Sequence, residues 1–161
     1  MATTAKQSSK SKTTRSSGGD GTGLSEVERA ALKETLQERR KAPPRGSPEE
    51  RAEGERDIQA KIAEMVPADR AMAQRIHELV TSAAPELVPR TFYGMPAYAK
   101  DGKVICFFQP AAKFKVRYST FGFQPDAKLD DGEMWPASFA LTELTPAAEE
   151  RIVGLVRRAA G

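Results

Sequence analysis

The chain has 161 residues, of which 39% are hydrophobic and 29% are charged, a balance that suits one globular domain with polar extensions. Its single Cys excludes an intramolecular disulfide, and one Cys with one His cannot supply the four ligands of a structural zinc site. The sequence shows no long apolar run and no apolar segment behind its first charges, so it predicts neither a membrane span nor a secretory signal. A cytoplasmic setting is therefore expected.

The net charge of +3 is concentrated at the start of the chain. Residues 1–20 hold four Lys or Arg and one acid, and the charges of the remaining residues sum to zero. Residues 1–23 are rich in Ser, Thr, Gly and Lys and lack an aliphatic cluster, which predicts a disordered basic tail. Such a tail allows non-specific contact with nucleic-acid phosphates, but a solubilising role is favoured.

Residues 24–56 are predicted to form peripheral helices and a linker. Ser25 with Glu28 is a capping-box pattern that begins a helix to about residue 40. Pro43-Pro44 interrupts it, and Ser47-Pro48 restarts a helix with a cap and a proline in the first position.

The compact domain is predicted to span residues 57–161. A strongly amphipathic helix is expected over residues 68–83, and a last helix begins at Thr145-Pro146. Between them the hydrophobic period changes to two, which is typical of strands. This order predicts an α+β fold, with an antiparallel sheet of about four to six strands and helices packed on one face.

Two hairpins are expected in the sheet. Asp101-Gly102 is a two-residue turn signal, and pairing Lys100 with Lys103 sets Tyr98 opposite Ile105. A second turn near residues 110–112 leads into a predicted strand over residues 113–118, whose alternation directs Phe114, Val116 and Tyr118 inward.

These two registers predict a basic and aromatic outward sheet face. Its candidate binding residues are Tyr98, Phe107, Lys113, Lys115 and Arg117. Such a face suits an anionic or flat ligand, but the same pattern arises where Lys and Arg stems cover apolar sheet or a helix lies over it. Trp135 belongs to a predicted edge strand over residues 135–139 and is either a lid on the core or a sixth member of the binding surface.

Other chemistry-bearing residues form no catalytic pattern, so a non-catalytic protein is predicted. His77 and Cys106 are interpreted as structural residues of a helix and a strand. Asp130, Asp131 and Glu133 gather carboxylates before Trp135, which is compatible with weak metal binding or with a solvated acidic turn. Their spacing does not match an EF-hand.

The same region carries a family resemblance. Residues 93–98 (Tyr-Gly-Met-Pro-Ala-Tyr), Asp101-Gly102-Lys103, Phe107-Phe108, Lys113-Phe114 and Trp135-Pro136 resemble the YdhG-like family of small bacterial domains, over about residues 63–159. Some members are described as frataxin-like intracellular iron chaperones. The resemblance therefore implies a frataxin-like two-layer fold, iron as a possible cargo and a protein partner at the sheet face.

Two functional hypotheses follow. The first is a binding domain of the YdhG-like kind that handles iron. The alternative is an interaction module that binds an anionic partner or nucleic acid through the basic and aromatic face. Iron binding should depend on acids such as Asp130, whereas anion binding should depend on Lys115 and Arg117 and weaken with salt.

Overall fold

The structure is a computed structural model that describes residues 25–41 and 43–161. The predicted tail, residues 1–23, lies outside the described residues. The described helices are α1 (Glu26–Lys41), α2 (Pro48–Ala63), α3 (Pro67–Ala83), α4 (Ala111–Phe114) and α5 (Pro146–Ala160), and the strands are β1 (Val88–Phe92), β2 (Met95–Lys100), β3 (Lys103–Gln109), β4 (Ser119–Phe123) and β5 (Ser138–Leu141). The predicted α+β class is confirmed.

Three helices begin where the capping signals place them. The hydroxyl oxygens of Ser25, Ser47 and Thr145 accept hydrogen bonds from the backbone N–H three residues later, at 3.2, 3.1 and 3.2 Å. Each bond satisfies one donor that the first turn of a helix leaves free. Helix α2 runs without interruption through the domain boundary predicted at residue 57.

The strands form one antiparallel sheet in the order β1-β2-β3-β4-β5. Asp101-Gly102 closes the β2–β3 hairpin with φ values of 52° and 77°, as predicted. Tyr93-Gly94 closes the β1–β2 hairpin with φ values of 51° and 71°. Two successive positive φ angles match the right-handed twist of the flanking strands, although a bulky Tyr rarely adopts one.

The predicted face of Tyr98 is wrong because the β2–β3 ladder contains an irregularity. Lys100 pairs with Lys103 as predicted, but beyond Ala99 the register shifts and Tyr98 pairs with Cys106 instead of Ile105. One extra residue on β3 reverses the sides of every later pair. Tyr98 therefore points into the core with Cys106 and Phe108.

The predicted strand over residues 113–118 is also wrong. Residues 111–114 form the short helix α4, Lys115 ends it with φ 53°, and β4 begins only at Ser119. The Asp69 carboxylate of α3 accepts the Ala112 N–H at 3.0 Å, a tertiary contact that local alternation cannot anticipate. Val116 and Tyr118 are exposed instead of inward-facing.

Helices α2, α3 and α5 pack on the sheet face that carries Tyr98, Cys106 and Phe108. The cluster is built from Ile58 and Ile62 of α2, Ile76 and Val80 of α3, Ile152 and Val156 of α5, and Phe121 and Phe123 of β4. Arg75 joins α3 to α5 because its Nε donates to Glu149 Oε1 at 2.7 Å. No helix within the described ranges is long and apolar enough to cross a membrane.

Helix α2 reaches β1 at a glycine. Gly54 is buried, and a Cβ atom built on it would collide with the backbone carbonyl of Pro89. The Pro89 backbone cannot rotate away from the added Cβ atom as a flexible side chain could. A side chain at residue 54 would therefore push α2 off the sheet.

Gly54→Ala is expected to lower the free energy of unfolding by about 1–3 kcal/mol, because overpacking against fixed backbone forces a shift. The matched control is Gly154→Ala in α5, where nothing lies within 4 Å of the added Cβ. That change should stabilise the protein by about 0.5–1 kcal/mol through helix propensity. Urea denaturation of both variants measures the difference, and equal effects would contradict the proposed contact.

Candidate binding cleft

A cleft of about 780 Å³ opens between α1 and α2 above β1. The helices form its walls, and Pro89, Arg90 and Thr91 contribute from the strand. Acidic side chains outnumber basic ones in the lining: the acids are Glu34, Glu38, Glu50, Glu53, Asp57 and Glu64, and the bases are Arg45, Lys61 and Arg90. The lining therefore favours a cationic guest over an anionic one.

Glu34 is the neutralised acid of the cleft. Its carboxylate lies 3.2 Å from Lys61 Nζ of α2 and 3.0 Å from Lys113 Nζ of α4, and Lys113 also donates to the Gly94 carbonyl at 3.1 Å. Partial burial opposes the charge of Lys61, but hydrogen bonding and attraction to Glu34 outweigh it and raise the pKa of this lysine. Glu34 thus ties α1 to both α2 and α4.

Glu38 lies one turn further along α1 and has no ion-pair partner among the described residues. Its Oε1 atom is buried and has no hydrogen-bond partner among the described residues. Burial raises the pKa of the Glu38 carboxyl and the charge of Glu34 adds to the rise, while hydrogen bonding to the carboxyl group by Thr91 and the Gly94 backbone and attraction to Lys61 offset it only in part. A buried carboxylate oxygen without a donor costs free energy in the unliganded protein.

Glu38→Gln is expected to stabilise the unliganded protein at neutral pH. Because the folded-state pKa lies above the ordinary value of 4.5, the folded protein binds the proton more tightly, and the wild type loses stability as pH rises above 4.5. Glutamine carries no charge and so avoids that loss of stability. The free energy of unfolding of Glu38→Gln should therefore exceed that of the wild type at pH 7 and equal it at pH 4.

Urea denaturation at both pH values measures the effect of Glu38→Gln. Glu143→Gln, at an exposed carboxylate outside the cleft, is the control and should change little. A Glu38→Gln variant that is less stable than wild type at pH 7 would contradict the view that Glu38 is an acid whose charge is disfavoured by burial.

Tyr98 belongs to a buried polar chain instead of a binding surface. Its side chain is fully buried, and its hydroxyl lies 3.0 Å from His77 Nδ1. His77 Nε2 lies 2.7 Å from Glu55 Oε1. A carboxylate only accepts, so Nε2 carries a proton, and in the neutral imidazole Nδ1 therefore accepts a hydrogen bond from the Tyr98 hydroxyl. Burial, with smaller contributions from Cys106 and Glu55, raises the pKa of Tyr98 well above its ordinary value.

His77 and Cys106, both interpreted from the sequence as structural residues, are buried in the fold. His77 is buried between the two partners, and its ring stacks on Tyr98 with centroids 5.8 Å apart. Burial strongly raises the pKa of the Cys106 thiol, which keeps it protonated and unreactive.

Tyr98→Phe is expected to lower the free energy of unfolding by about 1–3 kcal/mol, because His77 Nδ1 would be buried without a donor. Tyr118→Phe removes an exposed hydroxyl and should be close to neutral. Thermal and urea unfolding of the two variants, compared with the wild type, measure the contribution of the hydrogen bond between Tyr98 and His77. Equal stability of the two variants would show that the hydroxyl of Tyr98 contributes nothing.

Phe107 and Trp135 lie apart from each other. Phe107 is half-buried on the sheet face opposite the core, where its ring covers Gly122 and lies 6.0 Å from the ring of Phe92. Trp135 precedes β5 and packs, partly buried, against the hydrophobic core, as does Phe139. This packing favours the lid alternative for Trp135. The strand predicted over residues 135–139 is wrong in its bounds, because β5 begins only at Ser138 and Trp135 precedes it, although β5 is an edge strand as expected.

The three predicted cations lie in α4 and the loop after it, not on a strand. Lys113 is committed to Glu34 and Gly94. Lys115 and Arg117 are exposed, and the Arg117 guanidinium lies 5.1 Å from the ring centroid of Tyr118. The predicted surface therefore divides into separate sites, of which only the loop keeps exposed basic and aromatic groups together.

The acidic loop has no preformed metal geometry. Asp130, Asp131 and Glu133 are all exposed. Within residues 25–41 and 43–161, no three His, Cys, Asp or Glu side chains are grouped so as to hold one metal ion. Iron binding by these acids stays a prediction of the resemblance.

Sequence reasoning missed the cleft residues. Glu34 and Glu38 are four residues apart and so share one face of α1, which is visible in the sequence. No local signal shows that this face meets α2, because Lys61 and Thr91 approach it only through the tertiary fold.

Comparison of the chain with protein-family models, curated proteins and solved structures found no match. The YdhG-like resemblance therefore stays a prediction, and the function has to be argued from the geometry.

Proposed function

We propose that this chain is a binding domain that holds an organic cation, a guanidinium or ammonium group, in the cleft between α1 and α2. The observation that carries the proposal is Glu38, whose buried Oε1 lacks a donor among the described residues. A cationic N–H group would supply the hydrogen bond that Oε1 lacks and a positive charge beside the carboxylate. Hydrogen bonds between charged groups of this kind are the stronger class.

The two carboxylates of α1 have different roles in this proposal. Glu34 is occupied by Lys61 and Lys113, so it fixes the walls of the cleft. The Oε1 atom of Glu38 is the acceptor without a partner among the described residues. Burial disfavours the ionised form of Glu38 in the unliganded protein, and a bound cation would stabilise that form. Relief of this unfavourable free energy would add to the affinity for the cation.

The size of the cleft indicates a ligand larger than a single ammonium ion. Its volume of about 780 Å³ is in the range of small-molecule and short-peptide sites. One unpaired carboxylate oxygen suits a single cationic N–H group, whereas hard metal ions require several oxygen ligands. An arginine side chain in a peptide fits both requirements.

The test is an amide NMR titration with N-acetyl-arginine methylamide and, as a matched neutral probe, N-acetyl-citrulline methylamide. The arginine compound should shift the amides of Thr91 and Gly94, and the citrulline compound should not. Glu38→Gln should weaken binding about tenfold or more, because it removes a charge-assisted bond, and Glu143→Gln should not. Equal shifts with citrulline, or wild-type affinity in Glu38→Gln, would overturn the proposal.

Anaerobic addition of ferrous iron to the same sample tests the iron expectation separately. Broadening confined to Asp130, Asp131 and Glu133 would support iron handling at the acidic loop. Broadening centred on Glu38 would assign the cleft to a metal ion instead of an organic cation.

A further inference from the structure

The loop of residues 115–118 (Lys-Val-Arg-Tyr) is fixed at both ends. Before it, Asp69 accepts the Ala112 N–H at 3.0 Å, and after it the Ser119 hydroxyl accepts the Ala111 N–H at 3.1 Å. The N–H groups of Lys115 and Val116 bond back to the Ala112 and Ala111 carbonyls at 3.3 and 3.1 Å. These bonds satisfy the end of α4 and preset the shape of the loop.

Lys115 holds a backbone conformation that favours glycine. Its φ and ψ are 53° and 46°, in the left-handed region. This conformation is costly for a residue with a Cβ, and glycine is the usual occupant at such a helix end. The chain thus carries backbone strain at a position where it displays a cationic side chain.

The loop displays cations and apolar groups together. Val116 and Tyr118 are 45% and 37% exposed, and the Arg117 guanidinium lies over the Tyr118 ring. Neither Lys115 nor Arg117 has an ion-pair partner in the part of the chain that the structure describes. Residues 103–125 contain no acid, so no carboxylate within that stretch competes for these cations.

We propose that the loop of residues 115–118 binds single-stranded nucleic acid. Tyr118 is partly exposed, and a base would stack on its ring by joining or displacing the Arg117 guanidinium that lies over it. Lys115 and Arg117 would then supply charges for the adjoining phosphates. Every base has a π-face, so this combination binds without strong sequence preference. An acidic protein surface would use the two cations but has no need of the exposed ring, which is why nucleic acid is favoured.

The test uses the full chain and a fluorescein-labelled ten-nucleotide oligo-dT, with fluorescence anisotropy at 50 and 200 mM NaCl. Tyr118→Ala should weaken binding about tenfold, the loss of one stacked base. The double variant Lys115→Gln with Arg117→Gln should weaken binding and reduce the salt slope by up to about two. Lys128→Gln, an exposed lysine outside the loop, is the control and should have a smaller effect.

Lys115→Gly separates binding from stability. It relieves the left-handed strain, so the thermal midpoint should rise by roughly 2–4 °C while oligo-dT affinity falls severalfold. A purely structural loop would not combine a higher midpoint with weaker binding. A variant that is more stable and binds as wild type would overturn the proposal.

The basic residues 1–20 are controlled for by replacing Lys6, Lys10, Lys12 and Arg15 with Gln. The proposal requires the Tyr118→Ala effect to persist in this background. If binding depends only on those four residues, the loop is not the site. A ten-residue polyglutamate is the last probe. If it binds the loop whether or not Tyr118 is present, and oligo-dT does not bind the loop, the proposal is overturned in favour of an acidic protein partner.

Discussion

The close approach of α2 to β1 at Gly54 is the contact on which the remaining architecture depends. It allows the helix backbone to lie on the Pro89 carbonyl and so seats Ile58 and Ile62 in the core. The same contact fixes the wall of the cleft that α1 faces across Glu34 and Lys61. Packing and candidate binding site therefore share one geometric requirement, an α2 residue without a side chain.

Local signals predicted the parts of the fold that local physics controls. The caps at Ser47 and Thr145 and the Asp101-Gly102 turn were predictable because each involves residues within four positions of one another. The helix α4 was not predictable, since the Asp69 contact that holds it joins residues far apart in the chain. The irregularity that turns Tyr98 inward lies within the hairpin, but the Asp101-Gly102 turn signal does not indicate it. The cleft, like α4, was not predictable, because its acids meet only after α1 and α2 pack.

Two positions carry a cost that the folded chain alone does not require. Glu38 buries a carboxylate oxygen without a described donor, and Lys115 occupies a conformation that suits glycine. Proteins tolerate such local costs most often where a ligand or partner relieves or uses them. The His77–Tyr98–Glu55 chain is a useful contrast, because it is buried and polar but each of its bonds is made.

Pro89 also affects how the sheet meets other chains. Strand β1 is an open edge, and an open edge offers unpaired N–H and C=O groups to any extended segment that collides with it. Pro89 has no N–H to offer, and Gly54 brings α2 over its carbonyl. The opposite edge, β5, is only four residues long. Both edges are thus poor templates for intermolecular strand pairing, which protects a protein with a five-stranded sheet from aggregation at high concentration.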